Sequence, residues 1–62
     1  MKYYSTQRPI APGTYPKAGL TGFRNYGSRE YIPEINREAW GELYYGRALL
    51  EKELEDYELM KG

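Results

Sequence analysis

The small supply of hydrophobic core residues constrains this chain more than any other feature of its sequence. Its 62 residues include six Leu, three Ile, two Met and no Val, joined by Phe23 and Trp40. A domain of this size buries only about 60% of its unfolded surface, so its fold is marginal unless something cross-links it. The absence of Cys and His removes disulfides and the usual ligands of a structural zinc. We therefore expect tyrosines in the core, or a partner or second copy that completes it.

Tyrosine is the unusual component, with eight residues that include the pairs Tyr3-Tyr4 and Tyr44-Tyr45. An amphipathic ring fits the half-buried positions of a β-sheet, which is the interpretation we favour for most of them. Tyrosine is also enriched at binding hot spots, because its large ring loses little entropy when fixed. The composition therefore predicts a sheet in which some tyrosines serve an interface.

The net charge of zero hides a division near residue 30. Residues 1–29 carry five cations and no acid, whereas residues 30–62 carry nine acids and four cations, a net charge of −5. Such asymmetry is typical of an interaction arm. It is equally typical of a chain whose basic half folds onto its acidic half, and the sequence leaves both interpretations open.

Proline and glycine divide the chain into two segments. Three prolines and three glycines recur between residues 9 and 22, and this spacing leaves no room for a useful helix. We therefore predict an irregular, basic Pro/Gly-rich arm over residues 1–22 and a single small hairpin-plus-helix domain over residues 23–62. A turn is expected at Pro12-Gly13.

The second segment predicts an α+β fold, in which a short antiparallel hairpin or three-stranded sheet is followed by a C-terminal helix. The hairpin would pair Glu30–Ile35 with Glu38–Tyr45 across a turn at Asn36-Arg37. The helix would cover Ala48 to about Met60, where apolar residues form one stripe. The expected core residues are Phe23, Ile35, Trp40, Leu43, Leu50, Leu54 and Tyr57.

A mainly α fold with one long helix over residues 33–60 is the alternative. Seven residues recur at helical spacing from Ile35 to Tyr57. Pro33 also suits the first turn of a helix. Gly41 and Gly46 oppose this alternative, since each costs about 1 kcal/mol in a helix interior.

Several segments resemble a family of small uncharacterised proteins encoded in conjugative elements and phages of Gram-positive gut bacteria. The similar segments are Tyr3–Pro9, Pro12–Pro16 and Glu34–Gly41, with Tyr45 and Tyr57–Leu59 beyond them. Relatives carry a proline near the position of Ala48, which would favour a hairpin followed by a helix, although this chain lacks that proline. The resemblance implies a mobile element, where such proteins serve element maintenance or counter host defences. It implies no activity and no site residues.

The residue types of the chain argue against catalysis. Without His or Cys the usual general base and nucleophile are missing. The glycine pairs Gly19/Gly22 and Gly41/Gly46 are not followed by the Lys-Ser/Thr of a phosphate loop. We expect no catalytic residue, no metal, no cofactor and no small-molecule substrate. No segment reads as a signal peptide or membrane span, so a cytoplasmic, bacterial location is expected.

Binding is the function that the sequence supports, and the expected partner is a protein or another copy of the chain. The alternative is binding of single-stranded nucleic acid through the basic, Tyr-rich arm, where aromatic rings stack on bases and cations contact phosphates. The acidic half would repel that backbone. The candidate partner-binding residues are Tyr3, Tyr4, Arg8, Tyr15, Arg24, Tyr26 and Tyr44.

Overall fold

Four antiparallel strands and one short helix make up the fold, seen here in a computed structural model that describes residues 1–62. The strands form a single sheet in the order β2-β3-β1-β4. Residues from both predicted segments, 1–22 and 23–62, contribute to it. The elements are β1 (Lys2–Ser5), β2 (Leu20–Ile32), β3 (Arg37–Tyr45), α1 (Glu51–Tyr57) and β4 (Leu59–Lys61).

The N-terminal strand β1 lies inside the sheet, and this overturns the predicted α+β fold with its irregular N-terminal arm. Tyr3 pairs with Leu43 of β3 on one side and with Lys61 of β4 on the other. The prolines that predicted irregular chain begin only at Pro9, after the strand has ended. Tyrosine favours strands, and Tyr3-Tyr4 lets this short segment form one.

The helix is much shorter than predicted, and the alternative long helix over residues 33–60 is also wrong. Residues 37–45 are extended in β3, and α1 has only seven residues. Glu58 ends the helix in a left-handed conformation with φ of 54°, and Leu59 and Met60 then pair with β1. Burying Leu59 against the sheet outweighs the helix propensity of the tail.

Tyrosines supply much of the core on one face of the sheet, here called the core face. The rings of Tyr3 and Tyr45 meet edge to face with centroids 5.8 Å apart, and each side chain is almost fully buried. Alternation along β3 places Leu43 on the same face. The buried cluster consists of Tyr3, Ile10, Leu43, Tyr45, Leu49 and Leu59.

Of the predicted core residues, Leu43 alone is fully buried. Leu54 and Tyr57 pack against the margin of the core, and Ile35 and Trp40 are half-buried. Phe23 and Leu50 are 48% and 66% exposed, so these two predictions are wrong. Phe23 lies on the edge strand β2 with the Tyr15 ring beside it, and Leu50 lies just before the helix, so both side chains stay largely exposed.

The two core tyrosines also fix the connections that cover the sheet. The Tyr45 hydroxyl donates a hydrogen bond to the carbonyl of Pro16 at 2.7 Å, and burial raises the pKa of Tyr45 to about 12. The Tyr3 hydroxyl accepts a hydrogen bond from the backbone N–H of Leu49 at 2.8 Å. Each ring therefore joins hydrophobic burial to a specific polar contact.

The connection before α1 is held by an Arg47–Glu53 pair. The Arg47 guanidinium donates to both oxygens of the Glu53 carboxylate, at 2.9 and 2.8 Å. Its Nε donates to the carbonyl of Ala18 at 2.8 Å, and Glu53 also accepts from the N–H of Leu50 at 2.9 Å. The bond from Arg47, followed by that from Leu50, lowers the pKa of Glu53 to about 2.

We expect the Arg47–Glu53 pair to make the free energy of unfolding depend on pH in the acidic range. Glu53 has a pKa near its ordinary value of 4.5 when unfolded and about 2 when folded. Its stabilising effect is therefore complete above about pH 4.5 and is lost as the pH falls toward 2. Denaturant melts of Glu53→Gln should show lower stability at pH 7, with the difference from wild type narrowing through this window.

Asp56→Asn is the matched control, because Asp56 forms only an exposed i,i+4 pair with Lys52. Such pairs contribute little to stability. A Glu53→Gln variant as stable as wild type at pH 7, or a difference that does not change with pH, would contradict the role given to the pair.

Candidate protein-binding surface

The face of the sheet opposite the core carries tyrosines and charged residues, and the register of the strands brings them together. Tyr4 and Arg24 both lie beside Glu42, on neighbouring strands. Lys2 lies beside Tyr44 in the same way. We call six residues of this face the Glu42 cluster: Lys2, Tyr4, Arg24, Tyr26, Glu42 and Tyr44.

Glu42 holds the cluster together through two tyrosines. Its Oε1 accepts a hydrogen bond from the Tyr26 hydroxyl at 2.6 Å, and its Oε2 accepts one from the Tyr44 hydroxyl. Burial, with the hydrogen bond to Glu42 and its negative charge, raises the pKa of Tyr26 well above its ordinary value of 10. The Tyr26 phenol therefore stays neutral at physiological pH, and Glu42 holds the Tyr26 and Tyr44 rings by hydrogen bonds.

Tyr26 lies two positions after Arg24 on β2, which gives it the same face of the sheet, at the start of an irregular stretch. The pairing with β3 shifts between Asn25 and Glu30, and Gly27 adopts a φ of +83°, which favours glycine. Such bulges bend a strand and redirect its side chains. The Tyr26 hydroxyl reaches Glu42 from the face that it shares with Arg24.

Tyr4 is the buried member of the cluster. Its ring is only 1% exposed, and its hydroxyl donates to Glu34 Oε1 at 2.8 Å. Glu34 belongs to the hairpin turn between β2 and β3, so this bond draws the turn back over the sheet. The Lys2 ammonium lies 5.0 Å from the centre of the Tyr4 ring and 3.9 Å from Glu34 Oε1.

Arg24 and Tyr44 form the exposed part of the cluster. The Arg24 guanidinium carbon lies 5.5 Å from the centre of the Tyr26 ring, and Arg24 forms no ion pair within the structure. Tyr44 is 36% exposed. A guanidinium with free donors and a phenol ring are thus presented side by side, which suits contacts with carboxylates and apolar groups of a protein.

The structure brings together four of the seven predicted partner-binding residues and separates the other three. Tyr4, Arg24, Tyr26 and Tyr44 meet around Glu42. Tyr3 is a core residue, Tyr15 packs at the core margin with its ring centre 5.9 Å from that of Phe23, and Arg8 pairs with Glu58.

Sequence reasoning did not select Lys2 and Glu42. The alternation of Trp40, Glu42 and Tyr44 along β3 is the signal that placed Glu42 on the same face as Tyr44.

Opposite charges from the two halves of the sequence form ion pairs with each other in the folded chain. Three of the five ion pairs join residues 1–29 to residues 30–62. These are Lys2–Glu34, Arg8–Glu58 and Arg29–Glu38, and Arg29 also lies over the Trp40 ring at 5.9 Å. Much of the charge division is therefore satisfied within one chain.

The structure has no enclosed pocket, and no three or more acidic side chains come together as metal ligands would. Its one helix is too short to cross a membrane. The surface described above is an open face of the sheet.

Comparison with known proteins gives one match. A family model described as Defence against restriction A C-terminal matches residues 1–62. No curated protein matches the chain. No solved structure matches it either.

Proposed function

The chain belongs to the Defence against restriction A C-terminal family, and we propose that it is a non-enzymatic protein-binding domain with an anti-restriction role. The family points to defence against restriction and to a phage or other mobile element. Our proposal adds that the domain contacts a protein through the Glu42 cluster. It also adds a cytoplasmic location, and Gram-positive gut bacteria as the setting that the sequence resemblance implied.

The exposure of Arg24 and Tyr44 on the same face of the sheet, on either side of the Glu42 carboxylate, is the observation that carries the proposal. Arg and Tyr are among the residues most enriched at binding hot spots. Here Glu42 holds Tyr44 by a hydrogen bond, and the Tyr26 ring supports Arg24. Because the side chains are already ordered, a partner that binds them loses less entropy on association.

The composition of the open face supports a protein partner over single-stranded nucleic acid. Glu34, Glu38 and Glu42 lie among its cations, and carboxylates repel the phosphate backbone. Tyr3 and Tyr4 of the predicted stacking arm are buried, so their rings offer bases no platform. A protein surface with its own carboxylates and donors complements this mixture of charges.

The proposal is tested by transformation of restricting bacteria. Strains with different restriction systems would express the chain and receive plasmid that lacks the protective modification. We expect the wild-type chain to raise the yield of transformants relative to empty vector, while fully modified plasmid transforms equally well in both cases. Arg24→Ala should abolish most of this gain, because losing a hot-spot residue costs about 2 kcal/mol or more, which is roughly 30-fold in affinity.

Lys52→Ala is the matched control, since this cation lies on the exposed side of α1, with its side chain 83% exposed. Circular dichroism would verify that both variants fold. No gain from the wild-type chain in any restricting strain would refute the anti-restriction role. A gain that Arg24→Ala retains in full would refute the role of the Glu42 cluster.

A further inference from the structure

The outer edge of β2 has backbone groups that no other strand satisfies. The N-terminal ammonium of Met1 donates to the Tyr45 carbonyl at 2.9 Å, and the Tyr45 N–H donates to the Met1 carbonyl at 2.8 Å. Hydrogen-bonded pairs alternate along an antiparallel ladder, so Glu42 and Tyr44 direct their backbone groups toward β2. Their partners there are Arg24 and Gly22. The N–H and C=O of Phe23, which lies between these two, therefore point away from the sheet.

Phe23 also exposes an aromatic side chain at this edge. It is 48% exposed, and its ring centre lies 5.9 Å from that of Tyr15. An edge strand with unpaired backbone groups and exposed apolar side chains is a template for pairing with another strand. Arg24 is the one charged residue between Leu20 and Asn25, so few charges oppose the pairing of this edge with another strand.

The irregularities of β2 limit the length of this edge. Register shifts lie between Leu20 and Gly22 and between Asn25 and Glu30. Because bulges bend a strand, the regular edge runs only from Gly22 to Asn25. An added strand would have to be short and to match the residues around Phe23.

We propose that this edge pairs antiparallel with the same edge of a second copy, about a two-fold axis at Phe23. The two Phe23 residues would exchange backbone hydrogen bonds, and their rings would stack beside the Tyr15 rings on the core face. Arg24 would lie opposite Gly22 of the other copy, where no atom lies within 4 Å of a Cβ built on the glycine. The space for the long side chain is already present.

Self-complementarity selects a second copy as the occupant. An axis at Arg24 would oppose two guanidinium groups, which is unfavourable, whereas an axis at Phe23 opposes aromatic to aromatic and arginine to glycine. The contact is isologous and therefore closes as a dimer. Gly22 is the register partner of Tyr44, so Arg24 of one copy would approach Tyr44 of the other and join the two Glu42 clusters into one surface.

A single cysteine tests the axis. The chain has no cysteine, so Phe23→Cys can cross-link only between copies. Residues facing each other in a hydrogen-bonded antiparallel pair have Cα atoms about 5.5 Å apart, within the roughly 4.4–6.8 Å that a disulfide spans. Under mild oxidation we expect Phe23→Cys to form a covalent dimer much faster than Leu50→Cys, whose position is 66% exposed but away from the edge.

Sedimentation equilibrium of the wild-type chain completes the test without any substitution. We expect the mass to rise with concentration from 7.3 kDa toward twice that value, and Phe23→Lys to remain monomeric. A wild-type mass that stays at 7.3 kDa, or equal cross-linking of the two cysteine variants, would overturn the dimer. Phe23 lies outside the Glu42 cluster, so the dimer and the proposed function can fail separately.

Discussion

Tyr3→Ala should remove most of the stability of the fold at 25 °C. The Tyr3 side chain is 1% exposed, and its ring packs against Tyr45 at the centre of the core. Truncating a buried aromatic residue to alanine costs about 3–5 kcal/mol. A domain of this length has a free energy of unfolding of about 3–9 kcal/mol, so the substitution removes much or all of it. Circular dichroism and denaturant melts would measure the change.

Tyr3→Phe separates the hydroxyl from the ring. It removes only the acceptor for the Leu49 N–H, and leaving a buried donor unsatisfied costs about 1–3 kcal/mol. The matched control is Tyr31→Ala, since Tyr31 is 57% exposed and its loss should cost about 0.5 kcal/mol or less. A Tyr3→Ala variant that melts like Tyr31→Ala would contradict the placement of β1 inside the sheet.

Gly41→Ala should also destabilise the fold strongly, although it adds a single methyl group. A Cβ at this position would lie 2.6 Å from the Arg24 carbonyl oxygen and 2.8 Å from Ile10 Cδ1. The first contact is with backbone, so β2 and β3 must separate locally to relieve it. Overpacking of a well-filled core costs about 1–3 kcal/mol, and sometimes more. Thermal and denaturant melts would detect this loss.

Gly22→Ala is the control for that substitution. Gly22 lies on the neighbouring strand β2, where it pairs with Tyr44 of β3, but nothing is within 4 Å of a Cβ built on it. We expect a change in the free energy of unfolding of about 0.5 kcal/mol or less. If both alanine variants were equally stable, the close packing of Gly41 against Arg24 and Ile10 would be incorrect.

Local pattern in the sequence carried the information about β3. Trp40, Glu42 and Tyr44 alternate with Ala39, Gly41, Leu43 and Tyr45, and this alternation identifies the two faces. In the structure Gly41, Leu43 and Tyr45 are buried, whereas Tyr44 is exposed. Helical spacing over the same residues was misleading, because a period of four also samples a strand on one face.

The order of the strands could not be read from local pattern. β1 has only four residues and meets β3 about forty positions away in sequence, so nothing near Tyr3 shows that it has two neighbours. The same holds for β4, where Leu59 and Met60 continue a helical pattern until pairing with β1 takes over. Tertiary pairing overrode helix propensity at the C-terminal end, and at the N-terminal end it gave two neighbours to a strand that tyrosine already favours.

The candidate site was predictable in its residue types but not in its arrangement. The basic residues and tyrosines of the first half suggested a binding surface, and Arg24, Tyr26 and Tyr44 do lie together. Their common centre, Glu42, belongs to the acidic half of the sequence. The basic and acidic halves of the sequence were interpreted separately, so Glu42 was not recognised as the centre of the cluster. Its position beside Arg24 follows only from the register of β2 with β3.

The fold and the proposed function are connected through the sheet. The core face buries Tyr3 and Tyr45 and leaves the opposite face free to present Arg24 and Tyr44 on rigid strands. Sites built on strands hold their side chains more accurately than sites on loops. A chain this small can thus offer an ordered contact surface without a pocket.

Photo-cross-linking at position 44 tests the central claim most directly. A benzoylphenylalanine in place of Tyr44 would be activated in restricting bacteria, with the same group at Leu50 as the control. We expect the position-44 probe to cross-link to a subunit of the restriction enzyme, identified by mass spectrometry, and to lose that product in cells without the restriction genes. Equal labelling from positions 44 and 50, or no restriction subunit among the products, would contradict binding through the Glu42 cluster.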